Sequence, residues 1–379
     1  MKKSFFTSRW GLVLSLGVLL SYSCSDDPEP TPPPVNEPPV NEEPTTPPTS
    51  NVNWNRVSVF SEDMYNSTYL DGKFTALGRN FLYYDASLET ENERQFLGDY
   101  LTRLGRYKLP LSDKIFVSRT ELDVLIFPMG ELDPSKQITL RLSEIDPAFK
   151  AFEDIQFWQG DVLGVNKSGT AVLVPYRTIK DGLSLNNPSF LLLKTDLEDG
   201  VVVVKDTLIV DENIRDFYVE ASAVSSNENF FIVNIEGRSY LIDHDGNVEE
   251  LSEHRVVAVE KGNQVFFMEE DRRRDKLVVY VSGPEGKNRN LVGETDLNED
   301  LIRADYTVVR DQLVGFEGNK IFKLTTANNQ VRVDMLPNGS VAGAISSMNQ
   351  IGEDKVVITI IRQGQGGAFS LSVNSLLDQ

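Results

Sequence analysis

The sequence contains one cysteine and two histidines in 379 residues. One cysteine excludes an internal disulfide, and two histidines leave little material for a zinc site or a histidine-centred proton relay. Basic residues are also scarce: 37 Lys and Arg stand against 57 Asp and Glu, a net charge of −20. So acidic a composition does not suit a phosphate-tracking surface, which argues against nucleic acid as a partner. Neither a Gly-x-Ser-x-Gly elbow nor a phosphate-binding glycine loop occurs, and no cofactor is implied. The 40% hydrophobic and 25% charged content is that of an ordinary globular protein.

The N-terminus is distinctive. Lys2, Lys3 and Arg9 precede an apolar run from Trp10 to Leu20, too short to span a bilayer but suited to the core of a signal peptide. Leu20-Ser21-Tyr22-Ser23 then leads into the sole cysteine, Cys24. This resembles the lipobox of Bacteroidota lipoproteins, although Tyr22 is bulkier than the pattern prefers. The following Ser25-Asp26-Asp27-Pro28-Glu29 resembles the export tag of their surface-exposed members. The resemblance covers about thirty residues. It implies a lipoprotein signal peptide over residues 1–23, lipid attachment at Cys24, and an outer-membrane, cell-surface location. The plainer alternative is a cleaved signal peptide followed by an incidental cysteine.

Residues 24–50 read as a tether. Ten of the 18 prolines fall between Pro28 and Ser50 with no periodic apolar face, so the segment cannot fold alone. Proline-rich chain extends at roughly 3 Å per residue, which would hold the following domain tens of ångströms from a membrane.

Residues 51–379 read as an all-β domain. Short runs of β-branched and aromatic residues alternate with Gly, Asn and Asp turn signals. From Asn229 to Leu251 the pattern is a three-strand meander broken at Glu236-Gly237 and Asp245-Gly246, where glycine tolerates the positive φ of a tight hairpin. Similar units begin at Gln264, Gln312 and Lys355, and looser ones at Phe81, Leu122 and Thr170. Their mean spacing is about 46 residues, the period of four-stranded propeller blades. The last unit ends without a fourth strand, while a lone strand Arg56–Phe60 precedes the first. The expected fold is therefore a β-propeller of seven blades closed by the N-terminal strand, with six or eight blades, a β-sandwich or two small β domains as alternatives. The period and strand order resemble β-propeller lipoproteins of Bacteroidota, without the familiar blade signatures. Two segments fit less well: Phe96, Tyr100, Leu101 and Leu104 have helical spacing within Glu91–Arg106, and Asp146–Glu153 suits a helical turn or an outer strand.

No catalytic constellation stands out. Asp243-His244-Asp245-Gly246-Asn247 lacks the twelve-residue spacing of a calcium loop and reads as a solvated turn. Propellers present ligands at loops between second and third strands and between blades, which the sequence places at Asp85–Gln95, Pro128–Lys136, Pro175–Ser189 and Glu269–Lys276. They supply candidate ligand contacts at Tyr176, Arg177 and Lys180, and at Arg272, Arg273 and Arg274, the one basic cluster in an acidic domain. Guanidinium groups suit carboxylate and phosphate, although flanking Glu269-Glu270-Asp271 and Asp275 favour a self-neutralised turn. Trp158 is a further candidate, for stacking on a sugar or for packing between blades. The expected function is a non-enzymatic binding or scaffold propeller. Its expected partners are the membrane, through the lipid, and either an outer-membrane protein or a glycan or small-molecule ligand. The alternatives are a carboxylate-based glycan hydrolase or lyase and a structural subunit of an outer-membrane assembly complex.

Overall fold

The computed structural model describes residues 219–378 apart from 236 and 363–365 and, within residues 54–209, the strands and some residues flanking them. After β1 (Asn55–Val57) come the sheets β2 (Met64–Leu70), β3 (Lys73–Gly78), β4 (Phe81–Asp85), β5 (Glu93–Phe96) and β6 (Lys114–Ser118), β7 (Asp123–Pro128), β8 (Ile138–Arg141). The next holds β9 (Asp154–Gln156), β10 (Gly164–Val165), β11 (Ala171–Lys180), β12 (Leu183–Asp196) and β13 (Val201–Ile209). A sheet of β14 (Val219–Ser226), β15 (Phe230–Ile235), β16 (Arg238–Asp243) and β17 (Val248–Ser252) follows. Then come β18 (Arg255–Lys261), β19 (Gln264–Asp271), β20 (Lys276–Ser282), β21 (Asn290–Asp296) and β22 (Asp305–Val309), β23 (Gln312–Glu317), β24 (Lys320–Ala327), β25 (Gln330–Met335). These two meanders join through one parallel pair, Glu294 with Gln330, into eight strands. Gly293 permits that approach, since a Cβ there would lie 2.6 Å from the Asn329 carbonyl carbon. The last sheet is β26 (Ala344–Ile351), β27 (Lys355–Ile361) and β28 (Gly367–Ser372), before a short helix α1 (Val373–Leu377).

Inner strands of successive sheets touch: β10 meets β14, β14 meets β18, β18 meets β22, β22 meets β26, and β26 returns to β2. Antiparallel meanders whose first strands abut one another around a returning circuit form a β-propeller. The expected closure is present. β1 pairs antiparallel with β28, Asn55 opposite Ser370 and Val57 opposite Ala368, so the first strand completes the sheet made by the last three. Arg56 Nη2 donates to the Gly366 carbonyl at 3.0 Å. Asp63 Oδ1 accepts from the backbone N–H of Arg362 at 2.7 Å and of Gly366 at 2.8 Å.

The core is a series of layers between neighbouring sheets. Phe230, Ile232 and Leu241 of one sheet meet Val256, Val265 and Phe267 of the next, with Phe230 and Phe267 stacked at 6.0 Å. On the other side of β19, Phe266 and Met268 pack with Leu313, Phe322 and Leu324. A propeller strand is thus buried on both faces, which is why β15 is buried throughout. Each fully buried Phe or Leu contributes about 1.5–3 kcal/mol of transfer free energy.

Three expectations need correction. Pro175–Ser189 is not a long loop: β11 and β12 run through it as one extended hairpin, Tyr176 opposite Ser189 and Lys180 opposite Leu183. Glu269–Lys276 is likewise mostly strand, with a turn only over residues 272–275. Within Glu91–Arg106, the segment Glu93–Phe96 is extended and pairs with β4, against the helical spacing. The remainder of that segment, all of Asp146–Glu153, Trp158 and Cys24 lie outside the described residues.

Candidate functional site

Strand β19 alternates its side chains between two interfaces. Val265 and Phe267 face the preceding sheet and Phe266 and Met268 the following one, so the period of two carries Glu269 to the Phe267 side. Tyr280 is the register partner of Phe267 on β20. Together with Leu251, Val256 and Arg289 these residues line a cleft of about 280 Å³ between the β14–β17 and β18–β21 sheets.

The floor is apolar and the wall polar. Ser252 donates to Glu269 Oε1 at 2.5 Å. Burial, and then the adjacent Glu269 carboxylate, push the Tyr280 phenol above its ordinary range. Arg289 lies with its guanidinium carbon 5.8 Å from the Phe267 ring centre, and its Nη2 donates to Glu249 Oε1 at 3.0 Å. A carboxylate, a phenol and a guanidinium therefore converge above an aromatic and aliphatic floor, which is the composition of a small-molecule site.

The arginine turn is differently built. Arg272 pairs with Glu270 at 3.1 Å, Arg273 with Glu253 at 2.5 Å, and Arg274 with Asp271 at 2.5 Å and Glu294 at 3.3 Å. Asp271 also accepts the backbone N–H of Arg273 and Arg274 and lies 3.2 Å from His254 Nε2. Burial would raise the Asp271 pKa, but the hydrogen bonds from Arg274 and the charge of His254 outweigh it and hold the carboxyl below its usual range. An incoming anion would have to displace these carboxylates. Tyr176, Arg177 and Lys180 belong to β11, in another sheet from the arginine turn.

Asp243 is likewise committed. Its Oδ1 accepts from the N–H of Asp245 and Asn247, and its Oδ2 from Asn247 Nδ2, while Gly246 supplies the positive φ. Among the described residues no three His, Cys, Asp or Glu side chains gather as a metal site would require.

Sequence reading missed a buried ion pair. Arg255, at the start of β18, donates to Glu270 Oε1 at 2.5 Å and to the Ala304 carbonyl at 3.2 Å, and Glu270 also accepts the Arg303 N–H at 2.8 Å. Both side chains are almost wholly buried.

No protein-family model and no curated protein matches this chain. Solved structures do. An oligogalacturonate lyase in complex with manganese aligns with 86% of this chain and 94% of its own at 11% identity and a TM-score of 0.52. PorZ, an essential bacterial surface component of the type-IX secretion system of Porphyromonas gingivalis, aligns with 84% of this chain at 14% identity and a TM-score of 0.46. The chain spans 38% of PorZ. The Dos1 propeller aligns with 82% of this chain and 92% of its own at 12% identity and a TM-score of 0.45. At these identities the likeness is one of fold.

Proposed function

We propose that this chain is a lipid-anchored, non-enzymatic binding propeller of the outer membrane, exposed at the cell surface, which captures a ligand or docks on a membrane transporter. In this reading seven blades close through β1, and residues 24–50 hold the ring away from the bilayer on the acylated Cys24. The binding role rests on one observation: the cleft where Glu269, Tyr280 and Arg289 converge over Phe267. The rigid sheets position these side chains, so recognition needs no reordering of the framework.

Full-length chain extracted from membranes in detergent tests this reading. The expected result is saturable binding of a small polar ligand that Leu251→Trp, which fills the cleft, abolishes. Cleavage of a polysaccharide, lost on changing Glu269, would overturn it in favour of a carboxylate-based glycan hydrolase or lyase.

A further inference from the structure

We infer that the cleft between the β14–β17 and β18–β21 sheets takes a free α-amino acid with an apolar side chain. The inference rests on the binding reading above and adds the ligand class. Its ammonium meets Glu269, its carboxylate meets Arg289, and its side chain lies against Leu251, Val256 and Phe267.

Unused bonding capacity defines the two charged ends. Ser252 and Tyr280 both hydrogen-bond the Glu269 carboxylate, which offers about four lone-pair sites and so has acceptor capacity left for an ammonium. Among the described residues Arg289 hydrogen-bonds through Nη2, toward Glu249, out of the five N–H donors of a guanidinium. The Arg289 side chain is 23% exposed and that of Glu249 52%. A pair so open to water is weak, on the order of 0–1 kcal/mol, so Arg289 can exchange Glu249 for a ligand carboxylate at little cost.

The charges favour a zwitterion over a neutral polyol. Hydrogen bonds between ionised partners are about twice as strong as neutral ones, and a guanidinium fork matches a carboxylate in shape. The raised Tyr280 pKa marks the same wall as poorly solvated, which strengthens both ionic contacts. A cleft of about 280 Å³ lies at the lower bound of ligand pockets, roughly 300–1,000 Å³, and suits one residue rather than a chain. The floor contributes no polar group, so the side chain it accepts is aliphatic or aromatic.

Isothermal titration of the full-length chain in detergent tests this, with L-leucine and L-phenylalanine as ligands and N-acetyl-L-leucine amide and glucose as controls. The expected result is saturable leucine binding, weakened at least tenfold by Glu269→Gln, by Arg289→Gln, and by the acetylated amide. Lys320→Gln, an exposed change on β24, retains binding within about threefold, and circular-dichroism melts check that each variant folds. Leucine binding that Glu269→Gln and Arg289→Gln leave unchanged overturns the inference. Binding of glucose but not leucine, abolished by Leu251→Trp, also overturns it and leaves the binding reading standing. A chain that binds none of these ligands and shows no other ligand sensitive to Leu251→Trp removes both.

Discussion

Asn234 holds the backbone of Val256 in the neighbouring sheet from both sides. Its Nδ2 donates to the Val256 carbonyl at 3.0 Å, and its Oδ1 accepts the Val256 N–H at 3.0 Å. Ser239 joins the clamp, accepting the same N–H at 2.8 Å and donating to the His254 carbonyl at 2.6 Å. A polar pair on β15 and β16 thus fixes the inner strand of the next sheet, which positions Val256 in the floor of the cleft.

Replacing Asn234 by Ala leaves the buried Val256 carbonyl without its partner. The expected loss is about 1–3 kcal/mol, measured by urea unfolding. Asn234→Leu, similar in size but unable to bond, is expected to cost at least as much. A loss below about 0.5 kcal/mol for both would show that the clamp is dispensable.

Much of this architecture is legible in the sequence, because its strands and turns are local features. Runs of β-branched and aromatic residues separated by Gly-containing turns, as in Phe230–Asp243, declare themselves locally. The missing fourth strand after Ser372 and the spare strand near Arg56 pointed to closure, which the Asn55–Ser370 pairing realises. The β11–β12 hairpin was misread because Pro175 and Asn186-Asn187-Pro188 look like turn signals. There the ladder continues through a register shift between Tyr176 and Thr178 and takes β9 as an additional partner of Arg177. The cleft was not legible at all. Its lining comes from strands spread over Leu251 to Arg289, and which face each side chain takes depends on register across two sheets. Arg255 carries no local signal of burial, because the groups that make it tolerable, Glu270 across the ladder and the Ala304 carbonyl, come from other strands and loops.

The Arg255–Glu270 pair gives an asymmetric expectation. Glu270→Gln removes the nearer counter-charge of a buried guanidinium, leaving Asp305 at 3.8 Å, and is expected to destabilise by about 3–5 kcal/mol, whereas the double replacement Arg255→Met with Glu270→Leu costs less than that single change. Denaturant midpoints of the three proteins check this. Equal losses for the single and double variants would contradict it.

The arginine turn is expected to contribute little to stability. Arg272, Arg273 and Arg274 are exposed, and each is paired with acids of its own surroundings. The Arg273–Glu253 and Arg274–Glu294 pairs are exposed on both sides, and such pairs are worth about 0–1 kcal/mol each and weaken with salt. Replacing Arg272 and Arg273 by Gln should shift the unfolding free energy by less than about 2 kcal/mol, and phosphate should bind neither protein. Measurable phosphate affinity lost in the variant would show that the turn recognises anions after all.

Asp271 predicts an acid-sensitive limb of stability. Its folded pKa lies below the unfolded value, which is about 3.9 for an aspartate. Such a group stabilises the fold above the unfolded pKa, and the contribution is lost as pH falls through the folded value. Unfolding midpoints measured from pH 6 to pH 2 should therefore fall less steeply below about pH 4 in Asp271→Asn than in the parent. Identical slopes would mean that Asp271 is not held ionised by Arg274 and His254.

The closing strand predicts that the two parts of the N-terminus have different thermal consequences. Removing residues 25–50 should leave the melting temperature within about 2 °C, whereas extending the deletion through Val57 opens the β28 edge and removes Val57 from the core it shares with Phe60 and Ala368. A drop of several degrees is expected from roughly 2 kcal/mol of lost burial alone. An unchanged melt would show that the ring does not depend on β1.

Intact-mass spectrometry of the chain expressed in a Bacteroidota host and extracted from membranes tests the proposed lipid anchor most directly. The predicted result is a protein beginning at Cys24 and heavier than its residues by two or three acyl chains. A protein that begins elsewhere, or at Cys24 with no added mass, would contradict it.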